Sequence, residues 1–221
     1  MINIDAVYQK VLSLANKEQR GYITPQDFNN YSDQAQKEIF EQYFYDLNQF
    51  IRVRSNAEEY SDIIHNLNEK IAVFESTGVS LTLPSNLYRL GTVINNGNEV
   101  EEVQQNELLY MKKSALTIPT NDRRVYVRLS ANTIAVTPPT NDISYTYVKK
   151  PLRPSWGYFV VGGKALHDPD PNKTTNFELH PSEEHELVYK ILKYAGITMR
   201  KDDVVRVGQV LESSQVQQEK Q

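Results

Sequence analysis

The stretch from Asn16 to Asn29 reads as a sharp joint between two helices, and it restricts the N-terminal part of the chain to a helix–turn–helix arrangement. Before it, residues 6 to 15 carry apolar side chains at helical spacing. Gly21 supplies the left-handed residue that ends such a helix. Thr24 then offers a hydroxyl cap, Pro25 suits the first helical position, and Asp27 completes a capping-box-like arrangement at the positive helix end. A longer second helix is expected from there. The same joint has the outline of a calcium loop, with Gly21 at its obligatory glycine and Asp27 at its last ligand position. Its remaining ligand positions fall on Asn16, Glu18 and Arg20, and a guanidinium there repels a dication. Calorimetric titration with calcium is therefore expected to be flat. Saturable binding lost on Asp27→Ala would overturn this.

Three zones follow along the chain. In the first, Phe28, Tyr31, Ala35, Ile39, Tyr43, Leu47 and Ile51 mark one face of a long helix. Phe40, Phe44 and Phe50 widen that stripe, either for a third helix or the sheet, or for a neighbouring subunit. Ser55 with Glu58 opens another helix, whose apolar line runs through Ile63, Ile64, Leu67, Ile71 and Phe74 and ends near Thr77-Gly78. The second zone is mostly strands. Residues 87–94 and 99–103 flank the turn Asn95-Asn96-Gly97-Asn98. A short helix is expected over 107–113, and alternating strands over 125–129, 133–137 and 143–148, each with one buried face. Residues 158–161 and 164–166 flank Gly162-Gly163 as a further hairpin. After the proline-rich loop 168–172, Pro181 opens a third-zone helix with Leu187, Val188, Ile191, Leu192 and Ala195 on its buried line and Gly196 at its end. A last helical pattern runs from about Asp202 to Leu211. Residues 213–221 hold one apolar residue, Val216, and do not fold unaided.

These zones predict an α+β fold: N-terminal helices (1–78), a central antiparallel β-sheet or sandwich (79–179), C-terminal helices (180–212) and a flexible polar tail (213–221). Together they are expected to make one structural unit. The chain has 221 residues, no cysteine and a net charge of −4, so disulfides and thiolate metal chemistry are excluded and a broad basic DNA-wrapping face is disfavoured. No secretion signal is evident, and no apolar run approaches the ~20 residues that cross a bilayer. Tyrosine, at 14 residues against 7 phenylalanines, suits half-buried strands and protein interfaces.

Two segments carry a resemblance. The run Asn16 to Asn29 followed by Ala35-Gln36-Lys37-Glu38-Ile39-Phe40, and the run Phe177 to Val188 followed by Ile191 to Ile197, are similar to the ends of tailed-bacteriophage virion proteins. The resembled family is the head-to-tail connector (adaptor or ring) protein of crAss-like and related short-tailed phages. The middle resembles it in its short strands and in Tyr145-Thr146-Tyr147-Val148-Lys149-Lys150-Pro151. The resemblance implies a structural protein of the virion head–tail junction, assembled in the host cytoplasm. It implies a cyclic homo-oligomer, of about 12 copies as in the resembled connectors, built by one repeated heterologous contact. Its implied partners are the portal protein and other tail or ring proteins. The ring would enclose DNA without reading its sequence, touch no membrane and need no cofactor. The C-terminal segment, with Ser213, Gln215, Val216, Gln217 and Gln218, would dock on the portal; Phe40, Phe44 and Phe50 are the other interface candidates.

Enzyme signatures are thin, and no catalytic, cofactor-binding or metal residue is assigned. Gly162-Gly163-Lys164 lacks the first glycine and the following hydroxyl of a phosphate loop. His180 and His185 are five apart, a poor spacing for a shared metal on one helix face, and His65 and His167 stand alone. The clusters Glu99-Glu101-Glu102 and Glu183-Glu184-Glu186 fit a solvated strand face and a helix start. The rival readings are a helical regulatory or DNA-binding module and a hydrolase whose site is not recognisable from sequence.

Overall fold

A computed structural model of the chain describes residues 1–17, 23–52, 58–170, 172–198, 210 and 213. In chain order the elements are α1 (Ile4–Lys17), α2 (Pro25–Arg52), α3 (Glu58–Ala72), β1 (Glu75–Gly78), β2 (Leu87–Asn95), β3 (Asn98–Glu102), α4 (Gln105–Met111), β4 (Val125–Ser130), β5 (Thr133–Thr137), β6 (Ser144–Lys149), β7 (Tyr158–Val161), β8 (Lys164–His167), a 3-10 turn at Pro181–Glu183, and α5 (Glu184–Thr198). The fold is α+β, in two compact units: Met1–Val73 with Pro151–Gln221, and Phe74–Lys150.

The first unit is helical. α2 starts as its sequence dictates: Thr24 Oγ1 accepts the Asp27 N–H at 3.2 Å and donates to the Asp27 carboxylate at 2.6 Å, with Pro25 at the first helical position. Gly21 and the Ser55 half of the other cap lie outside the described residues, as does the pattern expected over 202–211 except Val210. The buried line of α2 runs through Phe28, Ser32, Ala35, Gln36, Ile39, Phe40, Tyr43 and Phe44, a wide stripe because both α3 and α5 pack against this helix. α1 packs on α5, and Ile2 pairs antiparallel with Phe177. α5 passes through Gly196 to Thr198 rather than ending at the glycine, which is buried there. A helical glycine costs only about 1 kcal/mol against alanine, less than packing returns.

The second unit is one mixed six-stranded sheet in the order β1-β6-β2-β3-β4-β5. Residues 75–78, expected to finish α3, instead pair with β6, Glu75 opposite Val148 and Gly78 opposite Tyr145. Ser76, Thr77 and Gly78 are weak helix formers, and an open strand edge outweighs them. β2 and β3 join through Asn96-Gly97 at φ 48° and 81°, the double left-handed turn that a two-residue hairpin needs. The sheet is not wholly antiparallel: β3 and β4 run parallel, Glu101 opposite Val125, because the chain between them crosses over through α4. That crossover changes β4. Tyr126 faces the main core with Val93, Val100, Ile134 and Tyr145, while Val125 and Val127 face Val103 and Leu108. β4 is therefore buried on both faces, where one was expected.

Beyond β1, the chain returns to the opposite edge of the sheet. Leu83 N–H bonds Asn132 at 2.8 Å and Ile134 N–H bonds Leu81 at 3.1 Å, pairing residues 81–83 with the start of β5. The segment just after β1, rather than β1 itself, thus meets the last strand, and the sheet curls into a small, partly closed barrel around the core just named. The expected β zone of 79–179 is shorter on its far side: β7 and β8 make a separate two-stranded sheet grouped with the helices.

Candidate functional site

The β7–β8 hairpin grows from a rigid root. Trp156 is buried, and its ring lies 4.2 Å from Tyr8, which in turn lies 4.7 Å from Phe28. Its Nε1 donates to Asp5 at 2.9 Å, its backbone N–H donates to Asn29 Oδ1 at 2.7 Å, and its carbonyl accepts from Asn29 Nδ2 at 3.3 Å. Trp156 thus ties α1 to the root through its indole and α2 through its backbone. Tyr158 and His167, paired across the first rung of the hairpin, both stack on it, at 5.8 and 5.6 Å. Below them Ser155 and Thr175 exchange two backbone hydrogen bonds, and the Gly157 N–H donates to Thr174 Oγ1 at 3.1 Å. Lys173, hydrogen-bonded to Asp168, holds that carboxyl below its usual range.

Above the root, no described residue buries the arm. Gly162 and Gly163, at φ 57° and 79°, make the tight turn with Val161 opposite Lys164. Tyr158, Phe159, Val160, Val161 and Leu166 are all exposed, Val160 by 64%. Successive residues of a strand point to opposite faces, so both faces of this ribbon are apolar. A two-stranded hairpin is marginal in water by itself. Chemically this arm is suited to burial against another apolar surface.

A second uncovered apolar surface lies in the barrel unit. Leu108 and Met111 turn the inner face of α4 onto Val125 and Val127, which leaves Leu109 and Tyr110 outside. Backbone bonds from Lys113, Ser114, Thr117 and Ile118 wind the following residues into tight turns, so Leu116 and Ile118 stay close to the helix end. Tyr110 is 70% exposed and Leu116 94%.

In the helical unit, Asp46, Glu69, Lys70, His180 and Ser182 line a cleft of about 300 Å³. His180 Nδ1 accepts the Ser182 N–H at 3.3 Å and lies 2.9 Å from Ser182 Oγ, which is 3.0 Å from Glu183; Lys70 pairs with Glu183 at 2.6 Å. A serine hydroxyl has one proton to share between His180 and Glu183. The arrangement caps the turn at Pro181–Glu183.

Two buried polar networks escaped the sequence reading. Gln36, fully buried on α2, donates to the Leu152 carbonyl at 2.7 Å and accepts the Glu178 N–H at 3.1 Å, satisfying two irregular segments at once. Lys190 of α5 reaches Glu38 at 2.9 Å and Glu186 at 3.5 Å, and the Tyr194 hydroxyl donates to Glu38. The only sequence signal was a polar residue inside an apolar stripe. In the barrel, burial and a 3.0 Å bond to Glu102 push the Tyr126 hydroxyl up to about 12. A raised folded value means stability fully present below the unfolded value of about 10 and lost as pH rises toward 12. Stability is expected to fall across that alkaline window, less steeply in Tyr126→Phe. Equal slopes in urea melts of the two would contradict the assignment.

The residues named as interface candidates separate. Phe40 (3% exposed) and Phe44 (8%) pack with rings 5.1 Å apart and are covered by the chain itself, so they leave the candidate interface; Phe50 is half-buried. Ser213 is exposed, its hydroxyl donating to the Val210 carbonyl at 3.0 Å, while Gln215, Val216, Gln217 and Gln218 lie outside the described residues. The hairpin arm and the surface at 109–118 were missed as interfaces, since apolar alternation looks the same whether a strand is covered by its own chain or not. Among the described residues no group of three or more metal-ligating side chains occurs, and no helix is long and apolar enough to cross a membrane. No protein-family model matches the chain, and no curated protein sequence matches it.

Proposed function

We propose that this chain is a structural virion protein, one subunit of a ring in the head–tail connector below the portal. In this reading it extends the DNA channel and joins capsid to tail, without catalysis, cofactor or sequence-specific DNA contacts. The observation that carries the proposal is the hairpin with both faces apolar, together with a second, separate apolar surface on α4 and the turns after it. A ring made by repeating one heterologous contact needs two unlike complementary surfaces on each subunit. Similarity of both chain ends to phage connector proteins supports the same reading, and supplies the portal as partner.

Light scattering after size exclusion, with electron microscopy of the peak, tests this on the full chain, alone and mixed with portal-bearing heads. Annular particles, or decoration of the portal vertex, are the expected result. A monomer that neither forms rings nor joins heads would overturn the proposal.

A further inference from the structure

We infer that the outer face of α4 and the turns after it dock on an anionic lipid surface. Leu109 and Tyr110 project from the uncovered side of α4. Lys113, four and three residues further on, holds its ammonium 5.8 Å from the centre of the Tyr110 ring. Leu116, 94% exposed, and Ile118 continue the apolar surface, and Lys112 is exposed beside Lys113. No acidic residue lies between Leu108 and Asn121. Neither lysine makes an ion pair among the described residues. Outermost alkyl groups with ammonium and phenol groups around them suit a lipid interface. The leucines enter the acyl boundary while the lysine and tyrosine heads stay at headgroup level. A nucleic acid would meet the lysines with phosphate and leave Leu116 uncovered.

Backbone pairing favours the same partner. Lipid offers a backbone few partners, so a segment that enters it must satisfy its own N–H groups. Those of Lys112, Lys113, Ser114, Thr117 and Ile118 all bond to carbonyls between Leu108 and Ser114, and the Thr117 hydroxyl donates to Met111. The β7–β8 arm is a sheet of two strands whose outer edges stay unpaired within it, which makes it the poorer lipid anchor. The net charge of −4 is spread over the whole chain and screened beyond about 8 Å at physiological salt, so the local lysines set the sign of the contact. Glu107, one turn before Tyr110, bounds the surface on its acidic side. The inference goes beyond the ring reading, in which a neighbour covers this surface. Lipid binding belongs to the free subunit, and ring formation competes with it.

Co-sedimentation of the full chain with vesicles of equal parts phosphatidylcholine and phosphatidylserine, against phosphatidylcholine alone, tests this at physiological salt. Binding to the anionic vesicles is the expected result. Lys112→Gln with Lys113→Gln should weaken it roughly 25-fold, at about fivefold for each lysine beside an anionic surface. Leu116→Ser should weaken it about tenfold or more. Leu152→Ser, at an exposed leucine of the other unit, should leave it unchanged. All four positions are exposed, so the variants should melt like the parent. Because the chain has no cysteine, a polarity-sensitive dye on Leu116→Cys reports entry into lipid directly. Its emission should shift to the blue on anionic vesicles, while the same dye on Leu152→Cys should not respond. No binding to anionic vesicles would overturn the inference in favour of an acidic protein partner. Equal binding to both kinds of vesicle, or binding indifferent to Leu116 and the two lysines, would overturn it as well. No virion part enters the assay, so this inference and the connector reading fail separately.

Discussion

Trp156→Ala is expected to destabilise the helical unit by about 3–5 kcal/mol, the range for deleting a large buried aromatic. The substitution removes the stack on Tyr8, leaves Asp5 without the indole donor, and takes the floor from under Tyr158 and His167. It should therefore also loosen the root of the hairpin. Trp156→Phe keeps much of the packing and loses the Nε1 bond, so a smaller cost is expected, about 1–2 kcal/mol. Because Trp156 is the sole tryptophan, unfolding is followed by circular dichroism in urea rather than by its fluorescence. A loss under about 1 kcal/mol for alanine would show that the root is held mainly by its backbone pairing.

The second large effect is expected at Lys190→Met. Lys190 is 4% exposed between Glu38 and Glu186, and removing its charge leaves two carboxylates facing each other with less to hold them. The expected cost is about 3 kcal/mol, the low end for breaking a buried pair, since Glu38 still reaches water. Acid titration separates charge from packing. Burial pushes Glu38 up, but the Tyr194 hydroxyl and the Lys190 ammonium outweigh it and hold Glu38 below its ordinary 4.5. A depressed carboxyl contributes stability that is present above its unfolded value and lost as pH falls through the folded one. Lys190→Met should flatten that acid limb, and an unchanged limb would place the stabilisation elsewhere.

What the chain's sequence made legible follows from how local each signal is. Helix α2 was readable from Thr24, Pro25 and Asp27 because a cap is built within four residues. Both hairpin turns were readable because Asn-Gly and Gly-Gly are among the few pairs that take two positive φ angles. The closure of the sheet was not, since residues 81–83 meet β5 across fifty residues through two backbone bonds that leave no side-chain pattern. Nor was the parallel step from β3 to β4. Val125 to Val127 show an unbroken apolar run whose second face is explained only once α4 lies over it. Likewise Tyr158 to Val161 were legible as half of a further hairpin, but not as side chains left exposed. Sequence records that a surface is apolar, while the identity of its cover belongs to tertiary or quaternary structure.

Quantitative mass spectrometry of purified virions checks the proposal that this chain is a ring subunit at the head–tail junction. The chain is expected in every infectious particle, in a fixed multiple-copy ratio to the portal protein, about one subunit per portal subunit or a simple multiple of it. Particles that are infectious and contain none of it would contradict the proposal.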